Sequence, residues 1–467
     1  SCQELMASEA WCKQREKLRA SDRIDYEAVA DLKQQVLQLA FDHFYEHHYM
    51  AGSERARAYR GFVAEQGESL PGYALFCAIF SVMQNQYGCV QWRQWPEAYW
   101  DFSSDTVKEF RHTHERLIHY FMYLQWLFDC QHANVAVYAQ QRGMPVGLYH
   151  DLAVGSIGNG SDVWMWHNLF ASGIDVGAPL DDFNPTGQNW GFPPLIPERL
   201  RESGYAFFIE VIRKNMRHAG AIRIDHALGL FRLFWIPQGK LPTEGAYVRC
   251  YAEELIRIIA LESVRNKTVV IAEDLGTFCD GMREMLQAFR MFSFRLLFFE
   301  RYYPDLQFKS PDDYPEMAIS AVTTHDLPTL AGFWVGRDID FKEKLNLFPN
   351  PDRIAAYRAE RLLDRTRLIR ALKQRGLLPP EYPEDPHDTP AMTTELSLAT
   401  YSYLAQSRSK LLNVMMDDAI GSMQQMNLPG TVDEYPNWLL KMPVPVEHLT
   451  ELSWLEKFAE VCRNLGR

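Results

Sequence analysis

An α/β fold built on a parallel sheet is predicted by three observations. From Pro145 onward, short apolar runs alternate with helical patterns; several of these runs end in acidic and histidine residues; and no glycine-rich phosphate loop follows any of them. Chemistry at the C-terminal ends of strands suits a (β/α)8 barrel of the TIM type. A doubly wound sheet also binds ligands there, but its nucleotide fingerprint is missing.

The elements follow in order. Residues 1–143 read as a helical subdomain. In DYEAVADLKQQVLQLAFDHF, Val29, Leu32, Val36 and Leu39 recur at helical spacing. A second long helix is expected from about Ser104 to Gln141, stopped by Gly143 and then Pro145. Between them, QWRQWPEAYWDF has no clean period and reads as loop and short helix. Residues 144–467 form the (β/α) portion. Its strand candidates are PVGLYHDLAV (145–154), GAIRIDHALG (220–229), KTVVIAEDLG (267–276), FSFRLLFFE (292–300), AISAVTTHD (318–326) and KLLNVMMDD (410–418). ESGYAFFIEVIRKNMRHA and GAYVRCYAEELIRIIALESVRN read as helices between them, and PPEYPEDPHDTP (379–390) as a flexible loop. That makes six strands where a closed barrel has eight.

Composition narrows the function classes. The 467 residues are 47% hydrophobic and 23% charged, ordinary for a globular chain with a sizeable core. A formal net charge of −12 and the lack of any basic run argue against nucleic acid as a partner. No apolar run reaches about 18 residues, so no membrane span is expected. The eight cysteines contain no CxxC pair, which points to reduced thiols in a cytoplasmic protein and away from a zinc or redox centre. His43 and His47 have the i, i+4 spacing of a metal pair, but no third ligand accompanies them. No metal and no cofactor is expected.

Four motifs carry possible chemistry. In RIDH (223–226), Arg223 and Asp225 lie two apart on a strand and so share a face. The arginine favours the ionised carboxylate, as a covalent glycosidase nucleophile requires; a structural Arg–Asp pair would look the same. In VVIAEDLG (269–276), Glu273 ends an apolar run and is the candidate general acid and base, against a plain surface pair. In AVTTHDLPT (321–329), His325 and Asp326 end a strand before a proline; Asp326 could hold sugar hydroxyls or merely cap a helix. YHDLAVG supplies Asp151, and GQNWG supplies Gln188 and Trp190, an amide and a flat apolar face suited to a sugar or to a loop core. The joint placing of carboxylates at several strand ends separates these motifs from chance pairs.

RIDH, AEDLG and THD, in that order, resemble the conserved regions of the α-amylase clan. The strings GLYHDLAVG, GQNWG, RIDHALG, AEDLGT, TTHDLPTLAGFW and NLPGT…PNW resemble the bacterial amylomaltases, 4-α-glucanotransferases of glycoside hydrolase family seventy-seven, from about Val29 to Trp438. The resemblance implies a (β/α)8 barrel with a large helical insertion, of which this chain holds strands three to eight and lacks the first two. It implies a catalytic role for 144–467, with Asp225 as nucleophile, Glu273 as acid/base and Asp326 as stabilising carboxylate. Arg223, His226, His325, Asp151, Gln188, Trp190 and Asn427 become substrate contacts, with Gly430 and Thr431 in the loop after the last strand. Asp182 stands where many relatives carry an aromatic, leaving Phe183 as the stacking residue of that loop. The implied substrate is a maltooligosaccharide or α-1,4-glucan, and the implied reaction is transfer by a retaining double displacement. The alternatives are an α-glucan hydrolase and a non-catalytic glucan-binding fragment.

Overall fold

The computed structural model describes residues 1–180, 186–276, 278–348 and 350–467. They form two compact units. The first comprises residues 1–180, 186–225 and 229–269; the second comprises 226–228 and the described residues from 270 onward.

The first unit opens with helices. Tyr26–Phe44 starts where the Asp25 carboxylate accepts the Ala28 N–H, a side-chain cap on the exposed first turn. Its buried residues are Leu32, Phe41 and Phe44, whereas Leu39 is exposed. The inward face is set by aromatics: Phe44 stacks on Tyr123 at 4.7 Å, and Tyr59 meets Trp126 edge-on at 5.6 Å. The long helix expected over 104–141 is two helices, Asp105–Thr113 and Glu115–Gln141. The break falls at His114, with φ −120° and ψ 29°. There the Thr113 hydroxyl bonds back to the Glu109 carbonyl and the His114 ring stacks on Phe110 at 3.9 Å. A hydroxyl competing for backbone carbonyls is invisible to hydrophobic periodicity.

The strands of this unit are β1 (Tyr149–Leu152), β2 (Ile174–Ala178), β3 (Gln188–Asn189), β4 (Ala221–Ile224), β5 (Arg232–Pro237) and β6 (Ala246–Arg249). β1 and β4 pair in parallel, setting Asp151 opposite Arg223 and Leu152 opposite Ile224. β2, β3, β5 and β6 form a separate antiparallel sheet in the order β3-β2-β5-β6. That sheet was not expected. β6 takes the start of GAYVRCYAEELIRIIALESVRN, and the helix begins only at Ala252. Cross-strand packing of Phe234 against Tyr247, at 5.1 Å, outweighs the helical reading there.

The second unit carries β7 (Val269–Ala272, entered from the first unit at Val269), β8 (Phe292–Leu296), β9 (Arg301–Tyr302), β10 (Gln307–Phe308), β11 (Ala318–Ala321) and β12 (Leu411–Leu412). β7 pairs β8, β8 pairs β11 and β11 pairs β12, all in parallel, while β9 and β10 make a small antiparallel hairpin. Every residue of β11 is buried, as a parallel strand covered on both faces requires. The α/β class read from the sequence is therefore the observed one. The core beneath these strands is formed by Trp334, Leu368, Leu372, Leu396, Tyr401 and Leu404, closed by Trp454 and Phe458 of the helix Ser453–Asn464. The segment 379–390 is irregular but tied down: the Thr389 carbonyl accepts the Trp334 indole N–H at 2.8 Å and an Arg365 guanidinium N–H at 2.6 Å. Among the described residues, no helix is long and apolar enough to cross a membrane.

Candidate active site

In the first unit, β1 and β4 bring Asp151, Arg223 and Asp225 together. The parallel register aligns Asp151 with Arg223, and alternation along the strand puts Asp225 on the same side as Arg223. Arg223 is buried, and one guanidinium nitrogen, Nη1, reaches both Asp151 oxygens at 2.8 and 2.7 Å. Its other terminal nitrogen, Nη2, lies 2.6 Å from Asp225 Oδ1. A planar guanidinium can serve two carboxylates at once because its donors are fixed in a fork. The Asp225 backbone N–H donates to the Leu152 carbonyl at 3.0 Å, so the end of β1 also fixes the aspartate's main chain. Asp151 additionally lines a cavity of about 890 Å³ inside this unit, together with His150, His132 and Phe192.

Gln188 and Trp190 lie on and just after β3. The Trp190 indole N–H donates to Gln188 Oε1 at 3.3 Å, and its ring stacks on Phe192 at 6.2 Å. Trp190 is half-buried, with its backbone N–H bonded to the Val176 carbonyl of β2. Phe183 and Asp182 lie outside the described residues.

In the second unit, Glu273 follows β7 directly and is 7% exposed, so both of its oxygens need donors. Oε2 accepts the His226 backbone N–H at 2.9 Å, and Oε1 accepts the Leu275 N–H at 2.8 Å. The Glu273 carbonyl accepts the Ala227 N–H at 3.0 Å. The residue that follows Asp225 in the chain is thus hydrogen-bonded to Glu273. His226 has φ +46°, and removal from water pushes its imidazole down to about 4, so it is neutral at neutral pH. Asp274, next to Glu273 in the chain, is buried. It accepts from the Ser293 hydroxyl, the Phe294 N–H at 2.9 Å, Arg283 Nε at 3.0 Å and Arg295 Nη2 at 3.1 Å. This clamp on AEDLG was not foreseen.

Asp326 sits five residues past β11 in a loop braced from several sides. Its Oδ1 accepts Asn427 Nδ2 at 2.6 Å, and His325 Nε2 lies 3.2 Å from its Oδ2. The Gln425 amide donates to the Asp326 carbonyl at 3.0 Å and to the Asn427 carbonyl at 2.7 Å, and the Asn427 N–H donates to the His325 carbonyl at 3.1 Å. Downstream, Asp418 accepts the Leu330 N–H at 2.7 Å and the Tyr401 hydroxyl at 2.5 Å, anchoring the helix that the loop enters. Gln425 and Asp418 carry no motif of their own and were not foreseen. His43 and His47 have ring centroids 4.6 Å apart, yet among the described residues no three His, Cys, Asp or Glu side chains are placed to hold a metal ion.

The family profile described as 4-alpha-glucanotransferase matches residues 1–447. A 4-alpha-glucanotransferase of Haemophilus influenzae is 35% identical over 458 residues, covering 96% of this chain and 64% of that protein. One from Mycobacterium bovis is 36% identical over 427 residues, covering 91% and 56%. The crystal structure of amylomaltase from Corynebacterium glutamicum superposes with a TM-score of 0.82 at 32% identity, covering 95% of this chain and 60% of that one. The chain thus spans less than two thirds of the length of these relatives.

Proposed function

This chain belongs to the 4-alpha-glucanotransferase family, and we propose that it moves α-1,4-glucan segments between maltooligosaccharides by a retaining double displacement. Asp225 attacks the anomeric carbon while Glu273 gives its proton to the leaving O4. A covalent glycosyl-enzyme forms on Asp225. The 4-hydroxyl of an acceptor sugar then attacks that carbon, releases its proton to Glu273 and frees Asp225. The bond broken and the bond formed are both α-1,4 links, so no external energy source enters. Asp326 and His325 hold hydroxyls of the reacting sugar. Arg223 keeps Asp225 charged and oriented, and neutral His226 serves as a hydrogen-bonding partner. Asp151, Gln188, Trp190 and Phe183 complete the substrate contacts, and Asn427 acts beside them by holding Asp326.

The observation that supports this reading is that each of the three carboxylates lies past the C-terminal end of a parallel strand and already has its donors. Arg223 serves Asp225, two backbone N–H groups serve Glu273, and Asn427 serves Asp326. A cytoplasmic setting accords with the free state of all eight cysteines among the described residues. Incubation with maltotriose tests the activity: glucose together with chains longer than the substrate means transfer, whereas glucose and maltose alone mean hydrolysis. Asp225→Asn must lower either activity by on the order of 10³-fold or more. Unchanged turnover in that variant removes the assignment.

A further inference from the structure

Trp438 combines two properties that a stable fold ordinarily avoids. Its backbone is left-handed, with φ +61°, an outlier for a bulky residue. The residue is nevertheless 47% exposed, high for a tryptophan. The surrounding loop imposes the conformation. Asn437 Oδ1 accepts the Leu428 N–H at 2.8 Å, and Asn437 Nδ2 donates to Thr431 Oγ1 at 2.9 Å and to the Thr431 carbonyl at 3.1 Å. The Trp438 N–H then donates to the Met426 carbonyl at 3.0 Å. The result presents the indole with its centroid 5.0 Å from the His325 ring, inclined by 51°. His325 in turn contacts Asp326. A strained residue held open to solvent beside a candidate catalytic group is the pattern expected where strain serves binding.

We propose that Trp438 is a sugar platform: its half-exposed indole stacks on one α-glucosyl unit of the glucan beside His325 and Asp326. A pyranose ring offers an apolar C–H face and a polar rim. A neutral aromatic plane beside hydrogen-bonding groups matches both, at no electrostatic cost to an uncharged substrate. This proposal rests on the glucan activity proposed above.

The test is binding of maltoheptaose by calorimetry to the full chain in an Asp225→Asn background, which prevents turnover. Trp438→Ala is expected to weaken binding about tenfold, equivalent to ~1.4 kcal/mol. Trp438→Phe keeps a ring in place and is expected to stay within about threefold. Trp438→Gly loses the platform but relaxes the backbone. It should bind as weakly as the alanine variant while melting no lower than it. A purely structural tryptophan gives the opposite pattern, with lowered melting temperatures and unchanged affinity. Wild-type affinity in both the alanine and glycine variants overturns the proposal and leaves the glucan activity standing. Failure of the chain with Trp438 intact to bind maltoheptaose removes both.

Discussion

Asn427 Nδ2 stands 2.6 Å from Asp326 Oδ1, and the Asn427 backbone N–H bonds to the carbonyl of His325. One residue therefore fixes both the side chain of the aspartate and the main chain just before it. On the proposed function, Asn427 acts by orienting Asp326. Removing it should cost turnover more than affinity, because a catalytic group displaced by about 1 Å can lose on the order of 10²-fold in rate. Asn427→Ala is expected to lower kcat by roughly 10- to 100-fold with KM changed less than about threefold. Asn427→Asp sets a second carboxylate against the first and should be worse at neutral pH, with partial recovery as acid protonates one of the pair. A variant whose KM rises while kcat holds would instead make Asn427 a direct sugar contact.

Arg223 joins Asp151 to Asp225 through separate nitrogens of one buried guanidinium. Lysine has a single ammonium and cannot reproduce that fork. Arg223→Lys should keep the fold and lose roughly 10²-fold or more in kcat/KM, since Asp225 is no longer held. Arg223→Ala should also destabilise the chain by about 1–3 kcal/mol, because two carboxylates each lose a charged donor. The cost stays moderate because Asp151 and Asp225 retain 46% and 32% side-chain exposure. Full activity in the lysine variant would show that Arg223 is a structural pair only.

The contrast between these residues shows what a sequence discloses. Arg223 and Asp225 were readable because strand alternation puts positions two apart on one face, and the contact at 2.6 Å follows from that rule. Glu273 was readable because four apolar residues lead into it. Asp274 differs from Glu273 by one position, yet its role depends on Arg283 of the helix Met282–Ala288 and on Ser293 and Arg295, which the β7–β8 pairing brings near. Asp418 and Gln425 act through contacts some ninety residues away, and no local pattern encodes those partners. The antiparallel sheet escaped notice for a similar reason. β3 is only two residues long, and helical periodicity in the segment after Gly245 masked β6. The break at His114 was missed because hydroxyl back-bonding leaves the hydrophobic period intact.

Asp274 is expected to govern stability. It is 2% exposed and accepts four hydrogen bonds, two of them from arginines. Asp274→Asn keeps the volume but turns an N–H₂ group toward donors and takes from Arg295, itself mostly buried, the shorter of its two carboxylate contacts, leaving Glu300 at 3.4 Å. Breaking a buried ion pair on one side typically costs about 3–5 kcal/mol. Denaturant titration should show that loss as a lower midpoint at unchanged slope. A shift below about 0.5 kcal/mol would mean that the cluster is solvated in solution.

Asp418 supplies a pH signature. Burial raises its carboxyl to about 6, while the Tyr401 hydroxyl and the Leu330 N–H favour the charged form and Asp417 opposes it. An unfolded aspartate titrates near ~3.9, so between about 4 and 6 the folded state binds more protons than the unfolded one. The stabilising contribution of this group is therefore complete below about 4 and is lost as pH rises through about 6. His226 works in the other sense. Its folded value of about 4 lies below the unfolded ~6.5, so its contribution is present above ~6.5 and is lost as pH falls through about 4. Asp418→Asn removes the first dependence and leaves the second. The unfolding free energy of wild type minus that of Asp418→Asn should thus increase from pH 7 to pH 4.5, with a span on the order of 2–3 kcal/mol at most, and the melting temperatures should follow it. His226→Gln in the same series should flatten the acid side of the profile and leave the Asp418 difference in place. If the wild-type and Asp418→Asn curves run parallel across that range, Asp418 is not the buried, proton-binding anchor of the helix that follows Asp326.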